Sequence, residues 1–180
     1  MGPKICCFTG HRPQKLSFGF DEGHPDCLRL KNVLKNEILS KIQSGCTGFL
    51  TGMAMGADIW CAEIVLDLKK QYPRDAIALT AVVPYRNQAS CFPAGYMKRY
   101  ARLLQEADDT VMIGEKYTPG CMQKRNRYMV DHACSLIAVW GGAKGGTLDT
   151  LRYARKKGLE IVLVRPDGSQ REQVTAQMRF

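Results

Sequence analysis

The sequence predicts an α/β fold with one Rossmann-like, doubly wound, mostly parallel sheet that carries helices on both faces. Short apolar segments alternate with longer segments of helical periodicity along the chain, which is typical of right-handed β-α-β crossovers. Several of the apolar segments end at a glycine-bearing turn. The length of 180 residues and the 45% apolar composition are those of one globular domain, for which we expect the boundaries 1–180.

Each element of the fold follows from a local pattern. Apolar runs predict strands at residues 4–9, 49–51, 76–83, 109–113, 135–140 and 160–164. Apolar residues at helical spacing, with glycine or proline near the segment ends, predict helices near 26–44, 59–71, 96–106, 122–133 and 147–157. Asp26 and Thr147 are expected to cap the first and the fifth helix. The polar residues at the C-terminal end of the chain are expected to be loose.

Three glycine-bearing turns follow predicted strands: TGHRP, TGMAMGAD and GGAKGGT. In the strand order 3-2-1-4-5-6, which is common for this architecture, ligands bind beyond the carboxyl ends of the central strands. We therefore expect the three turns to meet in one crevice. Their predicted ligand-binding residues are Gly10, Arg12, Gly52, Asp58, Gly142, Lys144, Gly145, Gly146 and Thr147.

The residue types in these turns indicate an anionic ligand. A helix that begins after a glycine-rich turn presents unpaired N–H groups, which bind phosphate well, and Lys144 and Arg12 add positive charge. Asp58 is expected to accept hydrogen bonds from ribose hydroxyls. Glycines needed for packing and an acid placed for the helix dipole remain alternative explanations of these two motifs.

Further along the chain the sequence is less specific. Arg125 and Asn126 begin the segment RNRYMVD and are predicted to reach the crevice, although an exposed charged helix face has the same pattern. Glu63 lies one and a half turns after Asp58 and is predicted to point near the same crevice, as a ligand-binding residue and as the candidate for catalysis; a glutamate that reaches solvent is the alternative. The eight cysteines contain no C-x-x-C pair, and with three histidines they predict free thiols and no metal site.

The net charge of +9 favours anionic partners, nucleic acid among them. The sequence contains no apolar stretch long enough to cross a bilayer and no signal-peptide pattern at its N-terminus. We therefore expect a cytoplasmic protein that does not contact membranes.

Taken together, TGHRP, GMAMGADIWCAE, VVPY, CMQKRNRYMVD and GGAKGGT resemble the SLOG superfamily, in particular its YpsA-like and YoqJ-like bacterial branch. The resemblance spans residues 5 to 164. It implies a Rossmann-like domain, in a bacterium or its phage, that binds nucleotides or nucleotide-derived molecules. Related proteins are the DNA-processing protein DprA and the Lonely Guy phosphoribohydrolases. The latter carry a catalytic glutamate where this sequence has Thr150, which argues against that activity.

The function that the sequence favours is binding of a nucleotide-derived ligand by a sensor or regulatory module. One alternative is an N-glycosidic hydrolase in which Glu63 or Asp58 replaces the missing glutamate. Another is a protein that binds single-stranded nucleic acid through residues 124–127, with Tyr128 stacking on a base. The sequence leaves open which ligand is bound, whether it is turned over, and whether a homodimer forms.

Overall fold

The computed structural model describes residues 2–174, and every predicted strand and helix is present in it. The strands are β1 (Lys4–Gly10), β2 (Cys46–Thr51), β3 (Ala78–Val83), β4 (Asp109–Met112), β5 (Ser135–Val139), β6 (Glu160–Val164) and β7 (Arg171–Gln173). The helices are α1 (Pro25–Gln43), α2 (Ala57–Gln71), α3 (Ala94–Glu106), α4 (Cys121–Asp131) and α5 (Gly146–Lys156). Short 3-10 turns occupy Pro13–Lys15 and Gln88–Cys91.

The seven strands form one sheet in the order β4-β3-β2-β1-β5-β6-β7. All neighbouring pairs are parallel except β6 and β7, which are antiparallel. This order differs from 3-2-1-4-5-6, because β5 lies beside β1 and β4 lies outside β3. The burial of the strands explains the difference: every residue of β5 is buried, whereas β4 is mostly exposed and suits an edge.

Helices cover both faces of the sheet, as predicted. Helices α1, α2 and α3 pack on one face, where Phe8 and Phe49 belong to the larger apolar core. Helices α4 and α5 pack on the other face with Cys7 and Leu50. Neighbouring residues of β1 and of β2 thus belong to opposite cores, because side chains alternate along a strand.

Three local expectations are wrong. Asp26 does not cap α1, because Pro25 begins the helix and the ring of His24 accepts the hydrogen bond from the N–H of Asp26 at 3.1 Å. Thr147 does not cap α5, because the helix begins one residue earlier and Gly145 is its N-cap. The polar segment near the C-terminus includes β7, an exposed strand of three residues that carries no apolar pattern; positions 175–180 lie outside the described residues.

In the long segment between β1 and α1, Glu22 contacts residues of three helices. Its Oε1 accepts hydrogen bonds from the indole N–H of Trp60 and the hydroxyl of Tyr96, each at 3.0 Å, and it also pairs with Arg99 and Lys31. Residues of α1, α2 and α3 therefore meet at this point.

Among the described residues, no helix is both long enough and apolar enough to cross a membrane.

Candidate ligand-binding site

A crevice opens where the chain leaves β1 and β5 at their carboxyl ends. These two strands are neighbours in the sheet, and the chain runs from them towards opposite faces, α1 on one side and α5 on the other. Such a switch point leaves a gap that ligands occupy in open α/β sheets. The gap here is a cavity of about 290 Å³.

Most of the predicted ligand-binding residues line this cavity, and they come from four separate segments of the chain. The cavity is lined by Gly10, Arg12, Asp58, Arg125, Asn126, Lys144, Gly145, Gly146 and Thr147 of the predicted set, together with Thr9, His11, Lys15, Ala54, Met122 and Ala143. That these residues contact a ligand stays a prediction.

The N-terminus of α5 forms one wall of the cavity. Gly145 is its N-cap, with φ of 140° and no side-chain cap, and Gly146 and Thr147 form the first turn. The first N–H groups of a helix have no intrahelical partner, so this wall is electropositive. Arg12, Lys15 and Lys144 line the same cavity and add positive charge. An anionic group such as phosphate fits here, since both the dipole and the side chains attract it.

The floor of the cavity holds a buried pair of opposite charges, Asp58 and Arg125. Their side chains are about 5% exposed, and Oδ2 of Asp58 lies 4.0 Å from Nη1 of Arg125, too far for a direct hydrogen bond. Burial raises the pKa of Asp58 although Arg125 opposes the shift, and burial lowers the pKa of Arg125 although Asp58 opposes it. For each residue, the partner's charge therefore offsets the effect of burial only in part, and further polar contacts would stabilise the charged form.

The two residues are held by different partners. The backbone N–H of Ala54 donates to Oδ2 of Asp58 at 3.3 Å. The guanidinium of Arg125 donates to the carbonyl oxygen of Gly52, and its Nε donates to Oδ1 of Asn126 at 2.7 Å. The carboxylate therefore keeps acceptor capacity at the cavity, which is what a ribose hydroxyl requires.

A chain of hydrogen bonds connects this floor to the wall formed by α5. The amide of Asn126 donates to the hydroxyl of Thr150 at 2.9 Å, and that hydroxyl donates to the carbonyl oxygen of Gly146 at 2.7 Å. Since Asn126 also accepts from Arg125, the orientation of its amide is determined at both ends. These hydrogen bonds therefore fix the position of Arg125 relative to the first turn of α5.

His11 lies at the end of β1 and is 5% exposed. Its Nε2 accepts a hydrogen bond from the N–H of Gly141 at 3.1 Å, so Nδ1 carries the proton in the neutral ring. Burial lowers the pKa of His11, and the charge of Lys15 lowers it further. The ring is accordingly neutral at pH 7 and connects the turn after β1 with the turn after β5.

The glycines of the three turns have different roles. A Cβ at Gly10 would lie 2.5 Å from Cβ of Ala57, and one at Gly52 would overlap the guanidinium of Arg125, so both glycines are needed for close packing. Gly145 is required by its backbone conformation. A Cβ at Gly146 would meet no atom within 4 Å, so this position is open towards the cavity.

Three predicted residues do not line the cavity: Gly52, Gly142 and Glu63. Gly52 acts through its carbonyl oxygen, which also accepts from Nε2 of Gln88 at 3.2 Å. Gly142 has φ of 97° and is exposed, so its role is in the turn.

The expectation that Glu63 points towards the crevice is wrong. Its carboxylate accepts a hydrogen bond from Nε of Arg99 at 2.8 Å and also forms an ion pair with Arg102. Both arginines are on α3. The helical rotation between Asp58 and Glu63 turns Glu63 towards α3 instead. Glu63 is therefore not a candidate for catalysis in the crevice.

Sequence reasoning did not assign Lys15 to the site. It lies in the 3-10 turn after Arg12, and its Nζ would lie 3.2 Å from a Cβ at Gly145. The signal was present, because a basic residue three positions after Arg12 belongs to the same turn as TGHRP.

All eight cysteines lie within residues 2–174, the part of the chain that the structure describes. All eight cysteines are free thiols, and burial raises the pKa of Cys46 to about 11 and that of Cys6 to about 12. No group of three or more His, Cys, Asp or Glu side chains in this range has the arrangement of a metal site.

Comparisons with known proteins agree on one family. The model of the YspA SLOG family (YpsA) matches residues 6–166. The SPβ prophage-derived protein YoqJ of Bacillus subtilis (strain 168) is 34% identical, with 74% of this chain and 88% of that protein covered. A UPF0398 protein of Halalkalibacterium halodurans is 27% identical, with 80% of this chain and 76% of that protein covered.

A solved structure is similar in fold. It is DNA processing protein A from Helicobacter pylori, reported for its single-stranded DNA binding mode, with a TM-score of 0.59 and 16% sequence identity. The match covers 90% of this chain and 65% of that chain, so this chain spans just under two thirds of the other protein. At this identity the similarity concerns the fold.

Proposed function

Because the chain belongs to the YspA SLOG family, we propose that it binds a nucleotide or nucleotide-derived ligand in the crevice beyond β1 and β5. In this proposal the protein acts as a sensor or regulatory module. The observation that carries it is the wall of the crevice, where the uncapped N-terminus of α5 meets Arg12, Lys15 and Lys144.

The two ends of a nucleotide find different partners in this crevice. The phosphate is bound by the N–H groups of Gly146 and Thr147 and by the nearby cations. The ribose hydroxyls donate to Asp58, whose carboxylate has acceptor capacity left, and Arg125 offers its charge from the floor. The incomplete pairing of Asp58 with Arg125 thereby becomes part of ligand recognition.

A thermal-shift screen of mononucleotides, NAD, ADP-ribose and cyclic nucleotides tests the proposal. A ligand at 100 times its Kd adds about 2.7 kcal/mol to the free energy of unfolding. For a chain of this size that corresponds to a rise in Tm of about 5–10 °C. The measurement is repeated on Gly146→Val, which is expected to fold normally and to lose the rise, because the new side chain occupies the open position at the wall.

Gly95→Val is the matched control. Gly95 also lies in the first turn of a helix, α3, and a Cβ there also meets no atom within 4 Å. Its variant is expected to keep the full ligand-induced rise. Loss of the rise in both variants, or in neither, would contradict the proposed place of binding.

Binding of single-stranded nucleic acid is the second candidate. The fold is similar to that of a protein named for such binding, and the net charge of +9 is favourable. Of the surface expected from the sequence, Lys124 and Arg127 are exposed, whereas Arg125 is buried and the ring of Tyr128 stacks on His132 at 4.0 Å between centroids. In this second candidate, nucleic acid binds at the crevice and the adjoining exposed residues of α4.

Salt dependence separates incidental from specific binding of nucleic acid. Non-specific binding to a single strand weakens with log salt with a slope of about −0.7 per neutralised phosphate. We expect oligonucleotide binding to disappear at physiological salt, as measured by fluorescence anisotropy. Tight binding at physiological salt that is lost in Gly146→Val and kept in Gly95→Val would favour the second candidate.

A further inference from the structure

A second cavity, of about 340 Å³, lies between α4 and α5 and adjoins the crevice. The two cavities share Asn126 and Gly146 as lining residues. We call the second cavity the α4–α5 groove; Gln123, Arg127, Thr150, Tyr153 and Lys156 also line it. The two cavities are therefore neighbours at the first turn of α5.

The groove combines an aromatic ring with positive charge. The half-buried ring of Tyr153 forms part of its lining, and the guanidinium of Arg127 lies 5.5 Å from the centroid of that ring. Lys156 is exposed at the groove, and Asp149 is the one acid among its lining residues. Aromatic rings and guanidinium planes stack on bases, and ammonium groups attract phosphate.

Hydrogen bonds join the two helices at the boundary between crevice and groove. The hydrogen bond from Asn126 to Thr150, at 2.9 Å, joins α4 to α5 across it, and Thr150 is in turn bonded to Gly146. Thr150 is 4% exposed, so its hydroxyl is largely shielded from water. These bonds position the two cavities relative to each other, and defined positions favour simultaneous recognition of two linked groups.

We propose that the α4–α5 groove is a second subsite and that the ligand consists of two nucleoside-like units joined through phosphate. This rests on the proposed function, and it specifies the ligand class. One unit lies in the crevice with its phosphate at Gly146. The second unit lies in the groove, with its base against Tyr153 and Arg127 and its charge near Lys156. A mononucleotide occupies the crevice alone.

Calorimetric titration of three probes tests this: AMP, NAD and 5′-phosphorylated diadenylate. NAD joins its units by pyrophosphate and diadenylate by a phosphodiester, so the comparison identifies the linkage. We expect one of the two to bind at least about tenfold more tightly than AMP, which corresponds to 1.4 kcal/mol. The double variant Arg127→Ala/Lys156→Ala is expected to lose that advantage and to keep the affinity for AMP within about twofold.

The matched control is Lys35→Ala/Lys98→Ala. It removes the same charge from exposed positions on α1 and α3, on the other side of the sheet. It is expected to bind all three probes like the wild type. Equal weakening of AMP and the two-unit ligand by the groove variant would overturn the second subsite, as would equal affinity of the wild type for all three. Binding of none of the probes would overturn the proposed function together with it.

Discussion

At the scale of the residue, Thr150 bears most directly on enzymatic activity. Its hydroxyl donates to the carbonyl of Gly146 and accepts from Asn126, so both of its hydrogen-bonding roles are used within the protein. The residue lines the α4–α5 groove and is absent from the lining of the crevice. Thr150 is therefore a structural link between two helices, at the position where the resemblance to the Lonely Guy enzymes predicts a catalytic glutamate.

We expect no release of free base from AMP or other nucleoside monophosphates. Cleavage of the N-glycosidic bond requires stabilisation of positive charge at the sugar, and electrostatic stabilisation is usually the largest catalytic contribution. Asp58 supplies the carboxylate among the residues that line the crevice, and the positive charge of Arg125 offsets the negative charge of that carboxylate. Chromatography after incubation of the protein with each nucleotide measures the released base. Turnover in the wild type that is lost in Asp58→Asn and kept in Glu63→Gln would identify a hydrolase.

At the scale of the element, the ends of strands and the beginnings of helices decide the shape of the site. β1 ends at Gly10, which lets the N-terminus of α2 approach the sheet closely, and α5 begins at Gly146 in open space. In the turn from β2 to α2, Met53 has φ of 57°, which is an uncommon conformation for a residue with a side chain. The hydroxyl of Thr51 supports this turn by accepting from the N–H of Met53 at 3.3 Å.

The substitutions Gly10→Ala and Gly146→Ala are expected to have opposite effects on stability. At Gly10 the added Cβ lies 2.5 Å from Cβ of Ala57 and 2.9 Å from Cβ of Val139, so the strand and the helix must separate. We expect a loss of about 1–3 kcal/mol in the free energy of unfolding. At Gly146 the change is expected to be neutral or stabilising by up to about 1 kcal/mol, since alanine favours the helix. Urea denaturation measures both, and similar losses at the two positions would contradict this assignment of roles.

At the scale of the whole molecule, long-range ion pairs attach the segment before α1 to the rest of the protein. Glu22 contacts Trp60 of α2 and Tyr96 and Arg99 of α3, and Arg99 continues to Glu63. Partial burial by itself raises the pKa of Glu22, but hydrogen bonds from Arg99, Lys31 and Trp60 outweigh it and lower the pKa from 4.5 to about 2. The folded state therefore prefers the ionised form.

This preference predicts a dependence of stability on pH. The stabilisation by Glu22 is fully present above pH 4.5, the ordinary pKa, and is lost as the pH falls towards about 2. Glu22→Gln is expected to lower the free energy of unfolding by about 1–3 kcal/mol at pH 7, because it removes hydrogen bonds to a charged group. The difference from the wild type is expected to shrink between about pH 5 and pH 2.

The control for this prediction is Glu115→Gln. Glu115 pairs with Arg86 at the surface, and its side chain is 69% exposed. We expect a change of at most about 1 kcal/mol, because solvent screens such pairs. Urea denaturation at several pH values measures both variants. A difference between wild type and Glu22→Gln that stays constant down to pH 2 would contradict the lowered pKa.

The sequence by itself determined the five helices and the first six strands, the fold class and the family. Periodicity is a local property, so the apolar runs and helical stripes could be found without knowing how they pack. The positions of the turns TGHRP, TGMAMGAD and GGAKGGT after strands were equally readable, and the ordered set of motifs predicted the SLOG superfamily, which the family match confirms.

The tertiary structure alone decided which strands are neighbours and what each side chain faces. β5 lies beside β1 because burial on both faces requires a central position, and this brings the turn at Gly146 to Arg12. Arg125 enters the floor because α4 packs against the sheet, whereas Glu63 is drawn to Arg99 on α3. These contacts join residues far apart along the chain, and their free energies depend on burial and distance, which no local pattern encodes.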